Sequence, residues 1–235
     1  MSHTVLRRAD ISDAARILEI YTPYITDTNI TFEYDIPTLE EFSARIRTIS
    51  ADYPYLVCTV DDLVAGYAYA HRHMERAAYQ WNAELSIYLA PRFRGAGLGT
   101  ALYTALIEIL RQMHVRNAYG CVTLPNEGSA GLHKSMGFSL LGIFHHTGYK
   151  LGAWHDVGWF ERPVCQGSEA PLPLLSVQDI GYLLYGLLAV YDSCRIIWRI
   201  DNNHTCSRAN GIADCIDVNL ERTCNRRHWN TATTP

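Results

Sequence analysis

Two features of this 235-residue chain have residue types and spacing suited to chemistry. The first is R-x-x-G-x-G, written here as Arg94, Gly95, Ala96, Gly97, Leu98 and Gly99. It leads through Thr100 into a run where Leu98, Ala101, Leu102, Ala105, Leu106, Ile109, Leu110 and Met113 fall on one helical face. The second is Glu84, the only carboxylate between Glu75 and Glu108, which precedes a strand-like stretch of Ser86, Ile87, Tyr88 and Leu89. The order strand, glycine-rich turn, helix aims unpaired backbone N–H groups and the positive end of a helix dipole at one point. Such a point holds an anion such as a phosphate.

The type of phosphate site narrows by elimination. A P-loop requires Lys followed by Ser or Thr at the end of the turn, and Gly99 is followed directly by Thr100. A dinucleotide fingerprint requires a third glycine, where position 100 has Thr, and an acid about 20 residues on, whereas no Asp or Glu lies between Glu108 and Glu127. What remains is R-x-x-G-x-G itself. Taken alone, the motif also fits a helix start whose glycines are structural.

Stepping along the chain, residues 4–8 form a strand, and Asp10 or Ser12 caps a helix whose face is Ile11, Ala14, Ala15, Leu18 and Tyr21 or Thr22. An irregular stretch over 29–37 leads to a second helix from Thr38, which with Glu41 forms a capping box; this helix ends near Ser50. Residues 55–60 and 63–72 are strands joined by Asp61-Asp62. After the Glu84 strand and the helix behind Gly99 come a strand over 118–124, a helix from Pro125-Asn126 to Gly137, and strands over 138–144 and 157–161. The predicted order is β-α-α-β-β-β-α-β-α-β-β, an α/β chain (α+β mixed) with a central mixed sheet and helices on both faces.

Composition limits the function classes. With 48% hydrophobic and 19% charged residues the chain is globular, with room for one ordinary core and something extra. A net charge of -4 argues against general nucleic-acid binding. Val5-Leu6 runs straight into Arg7-Arg8-Ala9-Asp10, so no secretory segment is expected, and seven cysteines without C-x-x-C spacing fit a reduced compartment. A cytoplasmic protein without membrane or nucleic-acid partners is expected. Of the 20 basic residues, only Lys134 and Lys150 are Lys, for which there is no physical account.

Several motifs together identify a family resemblance. Arg94 to Gly99 resembles the pyrophosphate-binding turn of the GNAT N-acetyltransferases, and the element order is that of the GNAT acyl-CoA fold, whose central sheet is mixed and mostly antiparallel. Thr31-Phe32-Glu33, Ala78-Tyr79-Gln80-Trp81-Asn82-Ala83-Glu84, Ile87-Tyr88-Leu89-Ala90-Pro91, Leu124-Pro125-Asn126-Glu127-Gly128-Ser129, Leu132-His133-Lys134-Ser135-Met136-Gly137-Phe138 and Trp154-His155-Asp156-Val157-Gly158-Trp159 resemble the phosphinothricin and methionine sulfoximine acetyltransferases. These motifs stand in order over residues 1–163, which sets a catalytic domain of 1–163 and a linker with extension over 164–235.

The resemblance implies acetyl transfer from acetyl-CoA to the amine of a small amino-acid-like substrate, in a homodimer and without a metal. The cosubstrate would lie on a splayed strand, bound by backbone N–H groups of Ile87, Tyr88 and Leu89, with its pyrophosphate on Arg94, Gly95, Ala96, Gly97, Leu98, Gly99 and Thr100. Glu84 is the expected base, directly or through water, the alternative being a solvent-facing strand carboxylate. His133, where many GNAT enzymes carry Tyr, either serves the leaving thiolate or is a structural helix histidine. Asn126 either contacts the pantetheine arm or caps its helix. Arg72 and Arg76 are candidates for an acceptor carboxylate, with Phe32 and Tyr79 walling the pocket; Gln80 stands where relatives often have Arg. Rival functions are acetylation of a protein N-terminus and a non-catalytic acyl-CoA sensor, which would have no need of Glu84.

Two remaining features match no ligand pattern or only a faint one. His71, His73 and the pair His145-His146 have no recognised metal spacing. In the extension, an apolar run over 180–191 suggests a packing helix too short to span a bilayer, Cys206, Cys215 and Cys224 recur every nine residues, and Asn203-His204-Thr205 is a sequon.

Overall fold

The periodicities of the sequence become, in a computed structural model describing residues 3–167, 170–180, 188–192 and 195–199, a mixed sheet with helices on both faces. In chain order the elements are β1 (Thr4–Arg8), α1 (Ala14–Thr26), α2 (Leu39–Asp52), β2 (Tyr55–Val60), β3 (Leu63–Arg72), β4 (Asn82–Leu89), α3 (Leu98–Gln112), β5 (Asn117–Leu124), α4 (Glu127–Ser135), β6 (Ser139–Lys150), β7 (Ala153–Pro163), β8 (Leu188–Asp192) and β9 (Arg195–Arg199). The strands lie in the order β6-β7-β5-β4-β3-β2-β1-β8-β9, antiparallel at every junction except β4–β5.

The elements form where local chemistry dictates. Thr38 accepts the Glu41 N–H while the Glu41 carboxylate bonds the Thr38 N–H, closing the capping box of α2. Asp61 and Asp62 sit at positive φ, which suits a tight hairpin between twisted strands. Alternation along β2 sends Leu56 and Cys58 to a core under α3, and Tyr55 and Val57 to a second core under α1 and α2. The inward face of α3 is buried at all eight positions from Leu98 to Met113 named above, and each Leu or Ile there contributes about 1.5–3 kcal/mol by leaving water.

Four expectations change. A short 3-10 turn, Ile11–Asp13, precedes α1 and resets its phase, so Ile11 and Ala15 are exposed and Ile17, Ile20, Tyr21 and Tyr24 are buried. The last two strands are longer than predicted, because β6 absorbs irregularities between Leu140 and Gly142 and between Phe144 and Gly148 and turns at Leu151-Gly152, both at positive φ. Residues 170–174, expected as part of a linker over 167–174, and 175–180 after them fold back onto the domain: Leu175 donates to Met113, Val177 donates to Asp52, and Val177 and Ile180 are buried. Part of the apolar run expected to be helical is β8, which pairs with β1 and covers an otherwise open strand edge. Residues 181–187 of that run, the cysteine repeat and the sequon lie outside the described residues.

Candidate active site

The site is built where two neighbouring strands part. β4 pairs with β5 only at Asn82, Ala83 and Glu84, opposite Asn117, Ala118 and Tyr119, although β4 continues to Leu89 along β3 and β5 continues to Leu124 along β7. Beyond Glu84 a gap opens between them. The Ala90 N–H bonds the Ala65 carbonyl on β3, and the His73 N–H bonds the Asn82 carbonyl, so antiparallel alternation directs the amides of Glu84, Ser86 and Tyr88 to β3. The amides of Ile87 and Leu89 point the other way, into the gap. Of the three expected donors, Tyr88 is therefore committed to the sheet, Leu89 N–H meets the Tyr24 hydroxyl at 3.1 Å, and Ile87 faces the gap with no strand opposite it. The sequence had not marked Tyr24, whose hydroxyl also donates to the Leu89 carbonyl at 2.6 Å.

The glycine-rich turn closes one end of this gap. Gly95 (φ 75°) and Gly97 (φ 80°) both take left-handed backbone, and Gly97 is the N-cap of α3. No side chain caps α3, so its first amides, at Leu98, Gly99 and Thr100, remain available to an anion. Arg94, Gly95, Ala96 and Thr100 are exposed around them, and the Arg94 guanidinium lies 5.1 Å from the Tyr24 ring centre. A Cβ on Gly99 would come within 3.3 Å of Leu132, so this glycine lets α3 pass close to α4.

At the other end, where the strands separate, stands Glu84. Its carboxylate Oε2 is 3.3 Å from Nδ1 of His73, and the two side chains are 20% and 10% exposed. His73 lies flat on Tyr119 (centroids 4.3 Å, 14° between planes) and edge-on to Trp159 at 5.3 Å. The Tyr119 hydroxyl donates to Glu161 at 2.7 Å, and burial pushes its pKa up to about 12, so it is a neutral donor at physiological pH. The indole Nε1 of Trp159 is buried without a hydrogen-bond partner among the described residues. His73 and Tyr119 belong to the site and were not marked as site residues; the signal was the approach of His73 to Glu84 across a sheet, which spacing alone does not encode.

The residues expected around the acceptor divide into two groups. Phe32 stacks on His155 at 6.3 Å and lies so close over Gly148 that no Cβ would fit there. Its segment is tied down by Glu33, which accepts from Tyr21 at 3.0 Å and from Arg45 at 2.8 and 3.0 Å, and by Lys150, whose ammonium donates to the Thr31 carbonyl at 2.7 Å. Burial lowers the Lys150 pKa, against the opposing pull of Glu33. Arg72 donates Nε–H to the Met74 carbonyl, while Arg76 and Tyr79 are exposed at the 3-10 turn Ala77–Tyr79 just before β4.

His133 stands apart from the open chemistry. It is 2% exposed, among Tyr103, Phe138 and Phe160, with Nδ1 2.8 Å from the Ser129 carbonyl and Nε2 3.3 Å from the Tyr103 hydroxyl. Nδ1–H donates to Ser129 and Nε2 accepts from Tyr103, so both ring nitrogens are used in the core. Desolvation lowers its pKa, opposed more weakly by the Ser129 carbonyl. These contacts fit the structural alternative for His133: burial favours the neutral ring, and both nitrogens have partners in the core. Asn126 caps α4 by accepting the Ser129 N–H at 3.0 Å, which leaves its amide NH₂ for other partners.

A cavity of about 440 Å³, lined by Arg16, Ile20, Pro23, Ala90, Pro91 and Arg92 among others, opens between α1 and the turn Pro91–Phe93 and includes neither Glu84, Ile87 nor the glycine turn. A cosubstrate laid along a strand gap needs a groove rather than a closed cavity, so the geometry of β4 and β5 is the better guide to the site. Among the described residues no group of three or more His, Cys, Asp or Glu is placed to hold a metal ion, and no helix is long and apolar enough to cross a membrane.

Residues 6–159 match the family model described as Acetyltransferase (GNAT) domain. Phosphinothricin N-acetyltransferase of Streptomyces viridochromogenes is 33% identical over 175 residues, covering 74% of this chain and 93% of that protein. The L-methionine sulfoximine/L-methionine sulfone acetyltransferase of Pseudomonas paraeruginosa is 29% identical over 171 residues, covering 71% and 98%. Among solved structures, the GNAT superfamily phosphinothricin acetyltransferase of Sinorhizobium meliloti, in complex with AcCoA, superposes with a TM-score of 0.70 at 35% identity, covering 73% of this chain and 94% of that one. With the strand gap, the glycine turn and the matched family model all falling within one domain, the chain belongs to the GNAT family of acetyltransferases.

Proposed function

We propose that this chain is an acetyl-CoA-dependent N-acetyltransferase acting on the amine of a small amino-acid-like substrate such as phosphinothricin or methionine sulfoximine. The observation that carries this reading is the opening of β4 from β5 directly after Glu84, with the bare N-terminus of α3 at the far end of the same gap. The turn amides and Arg94 suit a pyrophosphate, and the Ile87 N–H suits a carbonyl of the pantetheine arm or the acetyl oxygen, where a donor stabilises charge as it develops. Asn126, at the head of α4, has an amide free for the same arm.

In this reading both substrates are bound together and the amine attacks the thioester carbon directly. Glu84, at the apex of the gap, supplies the negative charge that favours loss of the ammonium proton, and the Phe32 segment, held by Glu33 and Lys150, limits the acceptor space to a small molecule. Arg72, at the end of β3, and Arg76, at the start of the turn that leads into β4, suit an acceptor carboxylate. A homodimer fits the exposed apolar side chains of β6 and its hairpin with β7, including Leu141, Phe144, Tyr149 and Trp154. A cytoplasmic location fits the supply of acetyl-CoA. Catalysis is assigned to residues 1–163, with 170–180 contributing to stability.

The test is thiol release from acetyl-CoA by the purified chain with phosphinothricin, methionine sulfoximine, methionine sulfone, ordinary amino acids and peptides bearing free N-termini. Turnover with the small analogues is expected. Release with none of these amines would remove the enzyme assignment, and release with peptides alone would replace the acceptor class.

A further inference from the structure

The His73–Glu84 contact carries an inference beyond the assignment of Glu84. His73 reaches Glu84 from the neighbouring strand, continuing the β3 ladder through its own N–H to Asn82, and its ring is clamped between the face of Tyr119 and the edge of Trp159. A carboxylate 3.3 Å from Nδ1 fixes the proton on that nitrogen, so the lone pair resides on Nε2. Nε2 has no hydrogen-bond partner among the described residues. The ring is mostly buried and oriented on three sides, yet it keeps one unoccupied basic nitrogen where β4 and β5 part.

We propose that His73 receives the acceptor's proton and that Glu84 acts as its orienting partner. The R–NH₃⁺ group gives one proton to His73 Nε2, directly or through one water, producing R–NH₂ and an imidazolium held by the Glu84 carboxylate. The nitrogen lone pair then forms the N–C bond at the thioester carbonyl, the C–S bond breaks, and the second nitrogen proton passes to the departing thiolate, giving the amide and CoASH. Solvent takes the first proton from His73. An imidazole whose Nδ1–H is held by a carboxylate presents its other nitrogen as a general base, the commonest use of a histidine in proton transfer.

Other groups around the ring agree with this assignment. On its own strand, His71 lies opposite Glu84 in register, but its Nδ1 is engaged by the Arg72 carbonyl, and Arg72 itself bonds the Met74 carbonyl. On β5, Tyr119 is a neutral phenol bound to Glu161 of β7, and Cys121 follows on the same face of β5 as Tyr119. None of them offers both a carboxylate-fixed tautomer and an unoccupied ring nitrogen.

This inference rests on the acetyltransferase reading, and the experiment separates the two. Wild type, His73→Phe and His73→Gln are compared by thiol release from pH 6 to 10, with CoA affinity by calorimetry and melting temperature as controls. His73→Phe keeps the flat packing on Tyr119, and His73→Gln keeps a donor for Glu84; neither carries a base. Both are expected to bind CoA as wild type does and to lose about 10²-fold in kcat/KM at pH 7. The loss should shrink toward pH 10, where the acceptor deprotonates unaided, and imidazole added to His73→Ala should restore part of the rate. Wild-type kcat/KM and pH profile in either folded variant, or a loss equal at every pH and untouched by imidazole, overturns the proposal. Absence of thiol release by the wild-type enzyme would instead remove the function itself.

Discussion

Glu84 and Tyr119 are the last residues paired across the one parallel junction among the described strands, and past them β4 and β5 follow different partners. The carboxylate thus stands at the apex of the gap whose far end is the N-terminus of α3. Replacing Glu84 by Gln keeps the side-chain volume and removes the charge. CoA affinity is expected to be unchanged by calorimetry, while kcat at neutral pH falls by about 10²-fold or more. A variant with wild-type turnover would exclude the carboxylate from proton transfer.

Gly97→Val tests the anion end. The backbone at φ 80° is strained for any residue with a Cβ, by about 1–2 kcal/mol, and a branched side chain would project into the turn that the pyrophosphate must approach. A drop in CoA affinity of at least about tenfold is expected, with a smaller fall in melting temperature. Unchanged affinity in a folded variant would place the phosphates elsewhere.

His133 links the core to pH. Its folded pKa lies below the ordinary value near 6.5, so its neutral form is favoured by folding and the unfolded chain binds the extra proton. The stability it contributes is fully present above about pH 6.5 and is lost as pH falls from there through the folded pKa, at up to about 1.4 kcal/mol per pH unit. Denaturant titrations of wild type and His133→Gln between pH 8 and 5 should differ in slope below pH 6.5, with the variant the flatter of the two. Equal slopes would show that this ring does not titrate on unfolding. Gly120→Ala probes the same contact from the sheet, because a Cβ there would collide with the imidazole; a destabilisation of about 1–3 kcal/mol is expected.

Cutting the chain after Pro163 separates catalysis from stability. Val177 and Ile180 are buried against the domain, and losing two such side chains costs about 3–6 kcal/mol. The truncated protein should melt well below one ending after Ile180, while both retain thiol-release activity and the mass of a dimer by light scattering. An inactive but folded form ending at Pro163 would show that residues 164–180 contribute to the site, and a monomeric active one would remove the dimer.

Much of this protein can be read from local sequence because local physics sets it. The eight-residue apolar face from Leu98 to Met113, the Thr38–Glu41 capping box, the Asp61-Asp62 turn and the left-handed glycines before α3 each depend on residues within a turn or two of one another. The glycine turn and the lone Glu84 were legible for the same reason. What tertiary structure decided were relationships across the sheet and between layers. Spacing does not reveal that β5 leaves β4 at Glu84, that alternation commits the Tyr88 amide to β3, or that Tyr24 from α1 meets Leu89. His133 and His73 illustrate the reason: each stands next to a basic residue in sequence, and only packing buries one between Ser129 and Tyr103 while bringing the other to a carboxylate eleven residues away, with its Nε2 unpartnered among the described residues. A side chain's chemistry follows from its desolvation and its partners, and both are fixed when distant strands are brought side by side.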